Sequence, residues 1–210
     1  MNREHVWPKS KASFYQTNGG SDLHHLRPSI SNVNASKNNY MYANVREEYS
    51  SYSTCYVSGS AVLWYSPSSE VVEVKDNVKG DVARILLYVY CRWGQPNLYT
   101  NVSSSNLPSK DSDDDANSGV KAIKNLTTLL EWCQNDPVDT WEMRRNDQTE
   151  NVQGNRNVFI DYPEFAWLIF GKTPPSTMQT PSGAAKNGSV SGGTIKASVN
   201  NSSYGSVSVS

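Results

Sequence analysis

Cysteine is scarce, with 3 residues among 210, at positions 55, 91 and 133. Thiols so few and so scattered exclude a disulfide framework and a two-cysteine zinc knuckle, and allow at most one disulfide with an odd thiol left over. No long apolar run is present either. The longest, residues 85–91, falls far short of the roughly 20 residues a spanning helix needs, so no membrane partner is expected. Nor does one sign of charge dominate: 19 Lys+Arg stand against 20 Asp+Glu, for a formal charge of −1. That excludes a polybasic nucleic-acid coat of histone type, although a local basic groove survives such a balance. What is present, 37% apolar residues and 10% aromatics, suffices for a real core.

Composition divides the chain near Lys172-Thr-Pro-Pro175. Residues 1–172 read as one domain. Residues 173–210 are rich in Ser, Gly and Asn, carry no acidic residue, and read as linker or tail because they bury too little apolar surface to offset ordering entropy. The alternation Ser206-Val-Ser-Val-Ser210 leaves a β-rich module as the alternative. At the other end no secretory leader pattern precedes Asn2, which implies either a cytoplasmic protein or missing upstream sequence.

Between the ends an α+β pattern is expected, with strands first and helices dominating the second half. Residues 61–65 and 70–75 are β-rich and flank Ser-Pro-Ser-Ser, a hairpin signature. Asp81 is expected to cap a buried helix through Cys91. Apolar residues at helical spacing predict a helix from Ser118 to Gln134. Asp136 and Pro137 are expected to start the next helix, ending near Gln153, and residues 162–170 to form a closing helix.

All 3 histidines lie in the first 25 residues, beside Glu4 and Asp22. A His next to a carboxylate is the minimum equipment for general-base catalysis or metal binding. His-Glu-x-x-His is absent, so a zincin protease finds no support. Asp111-Ser-Asp-Asp-Asp115 opens like a calcium loop, but Ala116 and Ala122 stand where Gly and Glu are needed, so it reads as a solvated loop. Arg144, Arg145 and Arg156, with Lys37 and Arg27, offer a cationic surface for phosphates. The polar segment 153–157 either holds other backbone in place or faces a ligand.

These segments occur in a particular order: Asn2-Arg-Glu-His-Val-Trp-Pro8, Asp22-Leu-His-His-Leu-Arg-Pro28, Val33-Asn34, Gly80-Asp-Val-Ala-Arg84, Leu130-Glu-Trp132, Asp136-Pro-Val-Asp-Thr-Trp-Glu142 and Gln153-Gly-Asn-Arg-Asn157. Together they resemble the bacterial endonuclease I / extracellular ribonuclease family of His-Me finger (ββα-metal) nucleases, collinearly over residues 2 to about 171. The resemblance implies a ββα-metal core with a small hairpin and several packed helices. It implies that His5 is the general base, and that Glu4 and Asn34 hold one Mg²⁺, with Mn²⁺ or Ca²⁺ as substitutes. Asp22, His24, Arg27, Lys37 and Arg156 are the supporting or phosphate-contacting candidates. A backbone carbonyl just before Asp22 would suit His5 as a tautomer-fixing acceptor.

By resemblance alone the implied protein is a secreted nuclease, expected as a monomer; its substrate would be DNA, RNA or both, cleaved with little sequence preference to 5′-phosphate ends. An inactive nucleic-acid-binding or scaffold module of the same descent is the alternative. Three departures stand out. The family's upstream segment has no counterpart before Met1, so fraying of the first strand is expected to weaken activity. No Arg lies between Lys9 and Ser21 to hold a product phosphate. Val158 replaces a usual Pro.

Overall fold

The computed structural model describes residues 1–11, 18–93, 123, 126–178, 194–199 and 202–208. Two antiparallel strands open the chain, β1 (Asn2–His5) and β2 (Leu26–Ser29), followed at once by helix α1 (Ser31–Lys37). Next come β3 (Met41–Tyr42), a one-turn helix α2 (Val45–Glu48), β4 (Ser53–Val57), β5 (Ser60–Ser66) and β6 (Val71–Val74). These four strands form one mixed sheet in the order β3-β6-β5-β4, parallel only between β3 and β6. The hairpin of β5 and β6 lies where Ser-Pro-Ser-Ser placed it. β4 was not anticipated, although its alternation of buried Cys55 with more exposed neighbours is an ordinary half-buried strand pattern.

Helices follow: α3 (Lys79–Trp93), α4 (Leu126–Asn135), α5 (Thr140–Gln153), α6 (Val158–Asp161) and α7 (Phe165–Leu168). The core joins Leu63 and Val72 of the sheet to Ile85, Leu86 and Val89 of α3, Leu126 and Leu129 of α4, and Phe159 and Trp167. Trp7, just after β1, is fully buried in that same core. Two further strands, β7 (Thr194–Val199) and β8 (Ser202–Ser208), pair antiparallel with each other. All three cysteines are free, and burial pushes the Cys91 and Cys133 thiols up to about 12.

Several expected boundaries are corrected. α3 starts at Lys79, so Asp81 lies inside its first turn rather than capping it. The group that meets the first-turn amide of Gly80 is the Asp136 carboxylate, at 2.8 Å, delivered by the chain leaving α4. A Cβ at position 80 would come within 1.9 Å of the Asp136 carbonyl oxygen, so only glycine fits there. With Asp136 so used, α5 is capped by Asp139, which accepts from the Glu142 amide at 2.8 Å. Ile123, expected inside a helix, bridges Tyr42 of β3. The closing helix is shorter than expected and confined to Phe165–Leu168. The Asp111–Asp115 stretch and the expected first turns after Ser118 lie outside the described residues.

Candidate active site

Glu4 and His5 are the last two residues of β1, and their side chains diverge as successive strand residues must. His5 turns toward the short turn 18–21, where its Nε2 lies 3.0 Å from the Gly20 carbonyl oxygen. A carbonyl can only accept, so Nε2 carries the proton in the neutral ring and Nδ1 is the basic nitrogen. Glu4 turns toward α1 and takes the Lys37 Nζ at 2.7 Å. Lys37 is nearly buried, also donates to the His5 carbonyl at 3.3 Å, and lies over the Tyr42 ring. Asn34 is one turn before Lys37 and therefore shares its helix face.

The end of β1 is tightly anchored. Tyr42 donates its hydroxyl to the Val6 carbonyl at 3.1 Å, and burial raises that phenol's pKa. His25 Nε2 lies 2.8 Å from the Trp7 amide nitrogen and 3.0 Å from the Trp7 carbonyl oxygen; one nitrogen of the neutral ring cannot serve both, and the shorter contact makes it the acceptor of the amide. Burial, together with the nearby His5, pushes His25 down to about 4. His25 is thus a structural clasp between the exit of β1 and the entry of β2.

Asp22 and His24 are both buried and act on the fold rather than at a solvent-facing centre. The Asp22 carboxylate accepts from Tyr88 Oη (2.7 Å), Trp93 Nε1 (3.0 Å), Gln153 Nε2 (2.9 Å) and the His24 amide (2.9 Å). His24 Nε2 meets the Asn155 carbonyl at 3.0 Å, and burial lowers its pKa. Gln153 also accepts the Leu23 amide at 2.8 Å, and Asn157 donates to the Arg84 carbonyl at 3.1 Å. Of the two alternatives for segment 153–157, holding other backbone is the one these contacts describe.

Arg156 is held by Asp161, Asp147 and Glu150, at 2.7–2.8 Å, and ties α5 to α6. Its charge is already matched by three carboxylates. Arg27 sits directly across from Glu4 in the β1–β2 register and donates to the carbonyls of Leu23, His24 and Leu26. The five supporting candidates therefore separate. Lys37 and Arg27 adjoin the Glu4 strand, Asp22 and His24 position the loop between the strands, and Arg156 serves the helices.

Sequence reasoning missed the buried pair of Arg84 with Glu142 (2.9 and 2.5 Å), which locks α3 to α5. An arginine inside the apolar run 82–91 was its signal, because a buried guanidinium demands an anion from elsewhere. Asp81, beside Glu142 in the same cluster, is raised to about 7 by burial and by that neighbouring carboxylate.

Among the described residues no group of three or more His, Cys, Asp or Glu side chains converges on a metal-sized point. Glu4 on β1 carries a carboxylate and Asn34 on α1 an amide oxygen, hard donors that would suit a cation which keeps most of its water better than zinc.

The chain is 39% identical over 171 residues to an extracellular ribonuclease of Bacillus amyloliquefaciens, covering 79% of this chain and 52% of that protein. An extracellular ribonuclease of Bacillus subtilis (strain 168) matches with the same identity and coverage. An extracellular deoxyribonuclease of Aeromonas hydrophila is 27% identical over 140 residues, 67% of this chain and 49% of its own. The chain spans about half the length of these curated relatives. The model of the family described as Endonuclease I matches residues 1–164. With that match covering most of the chain, the protein belongs to the Endonuclease I family.

Proposed function

We propose that the protein is a Mg²⁺-dependent, sequence-tolerant endonuclease that hydrolyses phosphodiesters of DNA, RNA or both to 5′-phosphate ends. The observation that carries this reading is the His5 ring, its Nε2 on the Gly20 carbonyl at 3.0 Å, on the same strand end as Glu4. In this reading β1, β2 and α1 make up the ββα-metal finger. His5 Nδ1 takes a proton from the attacking water, while the Gly20 carbonyl holds the ring and favours the imidazolium that forms. Glu4 and Asn34 hold the divalent cation, which supplies charge stabilisation at the phosphate and the leaving 3′ oxygen. Asp22 and His24 keep the Gly20 turn in place through α3 and segment 153–157. Recognition through phosphate rather than base edges accounts for low sequence preference. Relatives named extracellular ribonuclease support secretion and an RNA substrate.

One observation favours a second reading, a nucleic-acid-binding module without turnover: the Glu4 carboxylate is already neutralised by Lys37. Plasmid nicking and RNA degradation with Mg²⁺, with and without EDTA, separate the two. Cleavage abolished by EDTA supports the nuclease. Intact nucleic acid that is nonetheless retained supports the module.

A further inference from the structure

Trp141 stands at the start of α5 with 53% of its surface exposed, whereas Trp7, Trp132 and Trp167 are all buried at 5% or less. Two guanidiniums flank it. The Cζ atoms of Arg27 and of Arg145 each lie 5.9 Å from the Trp141 ring centroid. Arg145 is one turn along α5 from Trp141 and so shares its face. Both arginines reach the same two carbonyls, Leu23 and Leu26, Arg145 at 2.6 and 3.0 Å and Arg27 at 3.4 and 3.0 Å.

Two like charges are thus drawn together on shared backbone, and neither is ion-paired with a carboxylate among the described residues. Two acids that act on Arg27 electrostatically lie against another guanidinium, Glu142 paired with Arg84 and Asp81 3.6 Å from it. Arg27 is also the register partner of Glu4. The aromatic platform therefore lies one arginine side chain away from the strand that carries Glu4 and His5.

We infer that Trp141, Arg27 and Arg145 form a binding subsite for unpaired nucleotides, a base stacking on the indole while its phosphate meets the two guanidiniums. A base inside a duplex is stacked on its neighbours and cannot offer its face, so the subsite selects single strands or locally opened duplex. Stacking tolerates any base, in keeping with low sequence preference. The inference rests on the nuclease reading for its biological sense but not for its test.

The test is equilibrium binding in EDTA, where turnover is blocked, with three labelled probes of equal length: a single-stranded oligonucleotide, its duplex, and an abasic single strand. Trp141→Ala should weaken single-strand binding about tenfold, the size expected for losing one base–aromatic stack. It should leave duplex and abasic binding within about twofold, and Trp141→Phe should restore single-strand affinity. Arg145→Gln should weaken all three probes and flatten their salt dependence. If Trp141→Ala binds the single strand as wild type does, or loses all three probes equally, the subsite is refuted. Failure of the nicking assay alongside a Trp141-dependent single-strand preference would refute the nuclease reading and leave the subsite standing. An unchanged far-ultraviolet circular dichroism spectrum for each variant keeps these outcomes from being confused with unfolding.

Discussion

The Lys37 ammonium lies 2.7 Å from Glu4 Oε1, with the two side chains 4% and 15% exposed. A largely buried pair of this kind adds little over an apolar pair of the same shape, yet removing one member strands the other charge. Glu4 is therefore both an expected metal ligand and the counter-ion of a buried lysine.

The two roles separate by mutation. Glu4→Gln should cost about 3 kcal/mol in denaturant unfolding, since it leaves the Lys37 ammonium buried and unpaired. Glu4→Gln with Lys37→Met should recover most of that stability without recovering metal binding. Urea titration and Mg²⁺ calorimetry on the single and double variants check this. A Glu4→Gln protein as stable as wild type would show that the pair carries no weight.

His5→Ala removes a proton acceptor and leaves Glu4, Lys37 and Asn34 in place. Turnover should fall by about 10²–10⁴-fold, the range of general-base contributions, with Mg²⁺ affinity little changed. Initial rates on RNA and on plasmid DNA measure it. Loss within a few-fold would assign the base to another residue.

Calorimetry should find one Mg²⁺ site lost in Asn34→Ala, and no requirement for zinc. Two oxygen donors make a weak site that water and substrate phosphate complete, so affinity should rise when a non-cleavable nucleic acid is present. Tight zinc binding with inert Mg²⁺ would overturn the donor assignment.

Stability should respond to Asp81 in a defined pH window. Its carboxyl is raised from 3.8 to about 7, so the folded state holds a proton that the unfolded chain releases. That contribution is fully present below about pH 4 and is lost as pH rises through 7. His25 acts oppositely: lowered from 6.5 to about 4, it contributes stability above pH 6.5 that is lost as pH falls. Asp81→Asn removes only the first effect, so its stability relative to wild type should grow between pH 4 and 7, by up to about 1.4 kcal/mol per unit. A difference that stays flat across this window would place Asp81 in ordinary solvent.

Local patterns were legible where they depend on neighbours in sequence. The β5–β6 hairpin followed from β-branched runs around a Ser-Pro turn, and the end of α5 from Gly154, whose φ of 83° suits glycine. Boundaries set by distant chain were not. Asp81 and Asp136 each have the chemistry of a helix cap, and nothing nearby says that Asp136 reaches back to Gly80, 56 residues away. The candidate site shows the same division. The pair Glu4-His5 was readable as residue types, and Asn34 entered only through the family resemblance. The Lys37 pair, the four donors converging on Asp22, and the commitment of Arg156 to three carboxylates were not.

What the sequence by itself determined is the family, the α+β order of elements and the chemical inventory near the first strand. These rest on residue identity and short-range periodicity, which a chain carries before it folds. Only the tertiary structure decided which arginine faces what. Arg27, Arg145 and Arg156 are equivalent as letters, but a charge takes its role from the groups brought within a few ångströms of it. Packing α5 across the β2 entry sets Arg27 and Arg145 beside Trp141, on backbone carbonyls. The turn from α5 into α6 encloses Arg156 among Asp147, Glu150 and Asp161, so that its charge is matched within the helices.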